Sequence, residues 1–343
     1  MTINEIAKKA NVSRSTVSRA LNNHPRVSAE TRQAVLRVVQ EMNYIPNAAA
    51  RSLASKRSSV IGMLVYNITQ PFWASVFSGV EQYISGQTDY GIFLANSKSH
   101  LEVRDHKDDY KRNLKNLVSR GVDGVIIALA NDLRKDDIDF LESSGIPFVI
   151  IQNCLEDSRV VSVDVDNVEG AYKATRHLLS LGHKKIMHAT GPLDSGIARE
   201  RRHGYVKAMQ EAGVVLYNNS VVDCGFLFGD GYWCMKRMLA EKTIPTALLC
   251  ANDLSAFGAY FAAKEAGMRI PDDISIAGFD HLAGSMDVSG LLPDLTTMNH
   301  PVSEMGNTAA KLLVSQLGGS KAESVKFHMS LHEGATTRSL AGQ

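Results

Sequence analysis

The stretch ANVSRSTVSRALN, residues 10–22, carries side chains that can hydrogen-bond to nucleic acid at helical spacing. Ala10 can close one short helix, the next three residues can form a turn, and Ser13 can cap a second helix. That helix begins with Arg14 and Ser15, whose side chains can bond to base edges and phosphates. The pattern is typical of a helix-turn-helix, whose second helix lies in the major groove of DNA.

The charge distribution favours a nucleic-acid partner for the N-terminal part alone. The 343-residue chain has a net charge of +1, which by itself argues against such a partner. Residues 1–59, however, hold ten Lys and Arg residues and three acidic ones, whereas the remainder holds 27 basic and 33 acidic residues. A basic segment on a mildly acidic body is expected when one end of the chain meets phosphate.

The sequence lacks the common signatures of catalysis, metal binding and membrane insertion. It has no GxSxG, P-loop or HExxH motif, and no glycine-rich dinucleotide fingerprint follows the first core strand. It also lacks an apolar run of about 18 residues and a signal peptide. We therefore expect a cytoplasmic protein that is not an enzyme and needs no membrane, metal ion or cofactor. Without CxxC spacing, reduced core thiols are expected at Cys154, Cys224, Cys234 and Cys250.

Residues 1–45 are predicted to form three short helices with a shared apolar face. Thr2 can cap the first helix and Ser28 the third, which has Thr31 in its first turn and ends near Tyr44. The alternative is a three-helix module that binds protein, and the basic excess disfavours it.

Residues 46–58 are predicted to be a hinge helix and linker. Pro46 stops the preceding helix, Asn47 can cap a new one, and the alanines at 48–50 favour helix. About eight residues are too few for a stable isolated helix, because nucleation is unfavourable. The helix is therefore expected only when a partner chain and DNA hold it, and composition alone is equally compatible with an ordinary linker.

From Val60 onward, buried strands alternate with helices, as in a doubly wound parallel sheet. The alternation restarts near residue 160, so we expect two lobes within a core of residues 59–343. A ligand cleft is expected between them, at the carboxyl ends of the strands. The predicted lobes are about 59–160 plus 293–320 for the first, and about 161–292 plus 321–340 for the second.

A series of segments resembles, in order, the signatures of the LacI/GalR family of bacterial transcription regulators. They are VSRSTVSRALN, YIPNAAARSLA, VIGMLV, GVDGVII, GHKKI, GPLDSGIARERRHGY, CANDLSAFGA, IAGFDHL and PDLTTMNHP. The resemblance covers essentially the whole chain. It implies an α/β protein with an all-α helix-turn-helix head and a two-lobed, periplasmic-binding-protein-like core of doubly wound parallel sheets.

The resemblance implies which head residues contact DNA. Arg14 and Ser15 open the recognition helix and would read bases, and Arg19 is a second candidate for a base or phosphate contact. Ser13 and Ser28 are equally needed as helix caps, and Thr31 can instead support its own helix turn. The polar positions that match phosphate contacts are Ser13, Thr16, Asn22, Ser28, Thr31 and Tyr44. The helix caps Thr2 and Asn47 are two further candidates for DNA contact.

The same resemblance gives the hinge a specific task. In the family, paired hinge helices enter the minor groove, and a leucine at the position of Leu53 wedges between base steps and kinks the duplex. Ala50 is small enough for two hinge helices to approach closely. Without the resemblance, Leu53 would be interpreted as a minor packing contact.

In the family, a small-molecule effector binds in the cleft. Arg201 matches the arginine that holds this ligand, and Asp280 and Asn252 match acceptor and donor positions on the opposite wall. An ion pair between the lobes is the alternative for Arg201 and Asp280. Phe72 and Trp73 carry aromatic rings that can stack on a sugar or a base. The alternative for these two residues is lobe packing or a dimer contact. Weaker candidates are Tyr66, Gln152 and Phe226.

Together, these residues predict a ligand-responsive repressor of genes for uptake or catabolism of a small metabolite, with a sugar favoured. The alternatives are a purine-type regulator, control by a phosphorylated carrier protein and, remotely, a solute-binding protein. The family's usual Asp or Asn after Asp280 is His281 here, and the leucine heptads that tetramerise the lactose repressor are absent. A homodimer on a pseudopalindromic DNA operator is therefore expected.

Overall fold

A computed structural model of the chain describes residues 2–21, 24–44, 57–97, 109–130, 133–152, 157–282 and 292–340. The chain divides into two compact units, Met1–Ser59 and Val60–Gln343. No helix among the described residues is long and apolar enough to cross a membrane. The expected hinge helix lies outside the described residues, and so do Asn22, Asn47, Ala50, Leu53 and Cys154.

The first unit is a three-helix arrangement around a small apolar core. Helix α1 spans Ile3–Lys9, α2 spans Arg14–Leu21 and α3 spans Ala29–Glu41. Each helix buries one face, as the apolar spacing predicts. The buried side chains of the core are Ile6, Ala7, Val17, Ala20, Val27, Val35 and Val38.

Side-chain caps determine where α2 and α3 begin. Ser13 Oγ accepts the backbone N–H of Thr16 at 3.1 Å, and Ser28 Oγ accepts that of Thr31 at 3.2 Å. These bonds satisfy N–H groups that have no partner in the first helical turn. At α1, the backbone N–H of Thr2 donates to the Glu5 carboxylate at 3.0 Å, and the Thr2 side chain makes no cap bond.

The first sheet of the second unit is entirely parallel. Its strands are β1 (Val60–Val65), β2 (Gly91–Asn96), β3 (Gly124–Ala128), β4 (Phe148–Ile151), β5 (Val161–Val165) and β11 (Val325–Phe327). Their order is β11-β5-β4-β3-β1-β2, with Ile61 opposite both Ile92 and Gly124. The helices of this lobe are α4 (Pro71–Gln87), α5 (Asp109–Ser119), α6 (Lys135–Ser144) and α11 (Val302–Leu317).

The second sheet is parallel except for its edge strand β12. Its strands are β6 (Ile186–Thr190), β7 (Val221–Asp223), β8 (Ala247–Cys250), β9 (Ser275–Phe279), β10 (Thr296–Asn299) and β12 (Ser330–His332). Their order is β12-β10-β9-β8-β6-β7, and β12 runs antiparallel to β10. The helices of this lobe are α7 (Asn167–Ser180), α8 (Gly196–Glu211), α9 (Phe228–Ala240) and α10 (Asp253–Glu265).

For three strands, the sequence predicts the wrong lobe. Strand β5 was expected to open the second lobe but pairs with β4, and β11 pairs with β5 in the first sheet. Strand β10, expected in the first lobe, pairs with β9 in the second. The chain crosses between the lobes at Asp166, at His300–Pro301 and at His328–Met329. Strands that are buried on both faces have the same composition in either sheet, so the sequence alone does not place these crossings.

Helices α4 and α11 pack so closely that backbone meets backbone. A Cβ added at Gly79 would lie 1.8 Å from the carbonyl oxygen of Ser303, and one at Gly306 would lie 2.1 Å from that of Val76. Neither backbone can retreat without moving a whole helix. The two helices therefore form one rigid part of the first lobe.

We expect Gly79→Ala to lower the free energy of unfolding by about 2 kcal/mol or more, because the added methyl group has no room. Urea unfolding measures this change. Gly86→Ala is the matched control, since it lies in the same helix and no atom from another element of the described chain comes within 4 Å of the added Cβ. It should leave stability unchanged or raise it by up to about 1 kcal/mol. Equal effects of the two substitutions would contradict the close packing.

Candidate ligand cleft and DNA-binding head

A cavity of about 210 Å³ lies where the carboxyl ends of the two sheets face each other. The structure brings all eight sequence-predicted cleft residues to its wall: Tyr66, Phe72, Trp73, Gln152, Arg201, Phe226, Asn252 and Asp280. Seven further wall residues carry no distinctive sequence signal: Gln70, Ala130, Pro192, Ile197, Leu227, Asp230 and Leu254. Their position directly after predicted strands or at the starts of helices could have indicated them, because such residues lie at the carboxyl edge of the sheet, where ligands bind.

Arg201, on α8, is 3 % exposed and is held from several sides. Its Nε donates to Asn167 Oδ1 at 3.0 Å and its Nη1 to the carbonyl oxygen of Ala251 at 2.6 Å. Its Nη2 lies 3.6 Å from Asp280 Oδ1, and the guanidinium carbon lies 4.3 Å from the centre of the Phe279 ring. Burial lowers the pKa of Arg201, and the charge of Asp280 opposes that change. The guanidinium therefore meets a ligand in one fixed orientation.

The charged residues of the cleft and Asn252 lie on the second lobe, whereas Gln70 and Gln152 lie on the first. Arg201 is on α8, while Asn252 and Asp280 follow β8 and β9. The prediction that Asn252 and Asp280 form the wall opposite Arg201 is therefore wrong. The ion pair of Arg201 with Asp280 lies within one lobe, so it does not join the two lobes.

Asp280 is held in an unusual backbone conformation. Its φ is +104°, and that of the following His281 is +56°, which are rare values for residues other than glycine. The Asp280 N–H donates to the carbonyl oxygen of Met298 at 2.9 Å, and His300 Nε2 lies 3.2 Å from Asp280 Oδ1. The His281 ring stacks on His332 with centroids 4.3 Å apart. His281 is not a wall residue of the cavity.

Asn252 and Asp253 organise the start of α10 beneath the cavity. Asn252 Oδ1 accepts the Ser255 N–H at 3.0 Å, so its oxygen caps the helix, and its amide nitrogen bonds to no described residue and can meet a ligand. Asp253 is fully buried, and its carboxylate accepts from Thr297 Oγ1 at 2.6 Å and from the Leu282 N–H at 2.8 Å. Burial raises the pKa of Asp253 well above its ordinary value.

Aromatic rings reach the cavity from both lobes. Phe72 and Trp73, at the start of α4, meet edge to face with centroids 4.8 Å apart, and Tyr66 lies 5.9 Å from Trp73. Phe226 comes from the second lobe, and a Cβ at Gly191 would lie 2.3 Å from its ring. A flat ligand can therefore contact rings on two sides.

His188 lies in the interior of the second lobe and is fully buried. Its Nδ1 donates to the carbonyl oxygen of Leu249 at 2.9 Å, and its Nε2 has no partner among the described residues. Burial lowers the pKa of His188 to about 4 from its ordinary 6.5. The folded protein therefore holds this imidazole neutral.

Because the folded state lowers this pKa, His188 stabilises the fold fully above pH 6.5, and that contribution is lost as the pH falls towards 4. We expect a loss of about 2 kcal/mol in unfolding free energy between pH 7 and pH 5 from this group. Urea unfolding of wild type and His188→Phe at both pH values measures it. The variant should lack that part of the pH dependence. The same change in unfolding free energy between the two pH values in both proteins would contradict the lowered pKa of His188.

Six of the nine described residues predicted to contact DNA are exposed on the head. Arg14, Ser15 and Arg19 on α2 are exposed, as are Thr2, Ser13 and Ser28, whereas Thr16, Thr31 and Tyr44 are half-buried. Ser13 Oγ also lies 2.8 Å from the hydroxyl oxygens of Ser15 and Thr16. Neither Arg14 nor Arg19 forms an ion pair with any described residue, so both are available to a partner.

Family models match both units. One, described as bacterial regulatory proteins of the lacI family, matches residues 2–47, and another, described as periplasmic binding proteins and the sugar-binding domain of the LacI family, matches residues 58–335. The chain belongs to the LacI family.

Relatives and solved structures support this assignment along the full length. A repressor of Pasteurella multocida, HTH-type transcriptional repressor PurR, is 36 % identical and covers 96 % of this chain and 95 % of its own. The Lac repressor dimer bound to operator and the anti-inducer ONPF has a TM-score of 0.84 at 28 % identity, over 98 % and 99 % of the two chains. A LacI-family regulator of Enterococcus faecium with bound ribose has a TM-score of 0.70 at 29 % identity, over 82 % and 99 %. The predicted two-lobed α/β core with a helix-turn-helix head is confirmed. The chain is therefore a DNA-binding transcriptional repressor and not an enzyme, as the sequence predicts.

Proposed function

We propose that this repressor responds to a neutral, polyhydroxylated compound of the sugar class bound in its cleft. The observation that carries the proposal is the charge of the wall. Arg201 is paired with Asp280, and a second carboxylate, Asp230, also lines the cavity. A phosphate or carboxylate ligand would meet no excess positive charge there, whereas hydroxyl groups would find acceptors.

The remaining wall suits a ring with an apolar face and a polar edge. Aromatic rings contribute from both lobes, while Gln70, Gln152 and Asn252 supply amide groups. Sugars present such faces, and buried rings that stack on one face leave the hydroxyl edge to polar groups. The bound ribose in the Enterococcus faecium regulator supports this class of ligand.

A nucleobase is the second candidate, because the P. multocida relative carries the name PurR and flat bases also stack on aromatic rings. Isothermal titration calorimetry with D-ribose, D-glucose, D-ribose 5-phosphate and guanine separates the candidates. We expect neutral sugars to bind, and the phosphate to bind at least about tenfold more weakly than ribose. Binding of guanine alone would favour the second candidate, and preferential binding of the phosphate would contradict the charge argument.

We propose further that the repressor acts as a homodimer in the cytoplasm, on operator DNA. An apolar face formed by Leu227, Phe228 and Phe261 is exposed where α9 and α10 meet, with the centroids of the two phenylalanine rings 5.9 Å apart. Exposed large apolar groups that cluster in this way mark interaction sites. A second copy is the chosen occupant, because the Lac repressor relative is a dimer and a two-fold protein matches two operator half-sites.

Phe261→Asp should weaken the dimer by at least about tenfold, since a carboxylate would be buried in an apolar contact. Analytical ultracentrifugation measures the association. Val215→Asp is the control, because Val215 is 85 % exposed and lies outside this face. An unchanged dimer in the Phe261 variant would remove this face from the proposed interface.

A further inference from the structure

His300 occupies a crossing between the lobes and is almost completely buried. It lies between β10 of the second lobe and α11 of the first. The residue is 2 % exposed, and its Nδ1 has no hydrogen-bond partner among the described residues. A buried imidazole with only one hydrogen-bonded nitrogen is held mainly by its ring contacts and by that one bond.

On one side, His300 contacts the second lobe. His300 Nε2 lies 3.2 Å from Asp280 Oδ1, and a carboxylate only accepts, so Nε2 carries the hydrogen. Asp280 is also the partner of Arg201 at 3.6 Å. The imidazole therefore takes part in orienting the carboxylate that faces the cavity.

On its other side, His300 contacts the first lobe. The His300 ring stacks on Phe72 with centroids 5.6 Å apart and an interplanar angle of 27°. Phe72 lies in the first turn of α4, which packs backbone to backbone against α11 at Gly79 and Gly306. Pro301 joins His300 directly to α11. The ring is thus attached to the rigid part of the first lobe both by contact and by the chain.

We infer that His300 is a positioning residue that couples the polar wall of the cleft to the aromatic wall, so that a ligand bonded to Asp280 changes the angle between the lobes. The inference rests on the proposed use of the cleft. The two contacts on which it rests need no ligand, since one imidazole contacts a carboxylate of one lobe and a phenyl ring of the other. Removing either contact should let the cleft open.

Tryptophan fluorescence tests this in the free protein. The chain has two tryptophans, Trp73 beside Phe72 and the exposed Trp233, so Trp233→Phe leaves Trp73 as the sole reporter. Trp73 is 5 % exposed. In this background, His300→Phe keeps a ring and loses the N–H donor, and His300→Gln keeps an N–H donor and loses the ring. Acrylamide quenching then reports how far the cleft opens.

We expect His300→Phe and His300→Ala to shift the equilibrium between closed and open clefts by about tenfold, and quenching of Trp73 to rise by about twofold. His300→Gln should show a smaller rise. In combination with Asp280→Gly, which removes the acceptor and suits the positive φ of this position, the His300→Phe substitution should add nothing further, because both remove the same hydrogen bond.

His188→Phe is the matched control. His188 is equally buried, with one hydrogen bond and one ring contact, to Tyr205 at 5.3 Å, but it lies within the second lobe alone. It should lower stability without changing the quenching of Trp73. Unchanged quenching in every His300 variant overturns the inference, and so does an equal rise in the His188 variant. Neither result bears on whether the cleft binds a sugar, which calorimetry decides separately.

Discussion

Arg201→Met is expected to reduce ligand affinity in the cleft by at least about 100-fold and to lower the free energy of unfolding by about 3 kcal/mol. The loss of affinity follows because the guanidinium is fixed by Asn167, Ala251 and Asp280 in a single orientation at the wall. The loss of stability follows because Asp280 would keep its buried charge with only His300 left as a side-chain partner among the described residues. Calorimetry with D-ribose, or whichever neutral sugar binds the wild type, and urea unfolding measure the two effects.

Two further variants separate these effects. Arg202→Ala removes an exposed arginine from the same helix and should change neither quantity. Combining Arg201→Met with Asp280→Asn removes the unpaired charge, and should recover part of the lost stability while binding stays weak. Normal sugar binding by the Arg201→Met protein would refute the role of this arginine.

Arg14→Ala is expected to weaken operator binding by about 1–3 kcal/mol, or roughly 5- to 150-fold, and to relax sequence preference at the base pair that it contacts. The side chain is exposed in the first turn of α2, at the position fixed by the Ser13 cap. Fluorescence anisotropy with operator DNA and with single-base variants of it measures both effects.

Arg37→Ala is the charge-matched control, since Arg37 is exposed on α3 in the same unit. It should affect all DNA sequences alike, by less than about threefold. Both variants should keep a steep fall of affinity with salt, because several phosphate contacts remain. If Arg14→Ala weakened binding to every sequence equally, Arg14 would be a phosphate contact and not a base-reading residue.

Much of the fold was predictable because periodicity and caps are local signals. The helices of the head begin after Ser13 and Ser28, where a side-chain oxygen meets N–H groups of the first turn. The strands of the core appear as apolar runs bounded by turns. Which sheet β5, β10 and β11 join depends on pairings with strands far away in the sequence, and these leave no local signal.

The candidate cleft was predictable where a motif singles out a residue, as for Arg201 and Asp280. It was not predictable for Asp230 and Leu227, which reach the cavity because the chain turns after β7. The shared wall of Arg201, Asn252 and Asp280 is likewise a property of the second sheet as a whole. The central role of His300 follows from a crossing between lobes, which only the three-dimensional arrangement reveals.

Occupancy of the cleft is expected to control operator binding. The most direct test measures the dissociation constant for a pseudopalindromic operator, selected from random-sequence DNA by the wild-type protein, with and without a saturating neutral sugar that calorimetry shows to bind. We expect this constant to change by about 5- to 150-fold in wild type, and to stay the same in Arg201→Met at the same sugar concentration. Operator affinity that stays the same when the wild-type cleft is filled would contradict it.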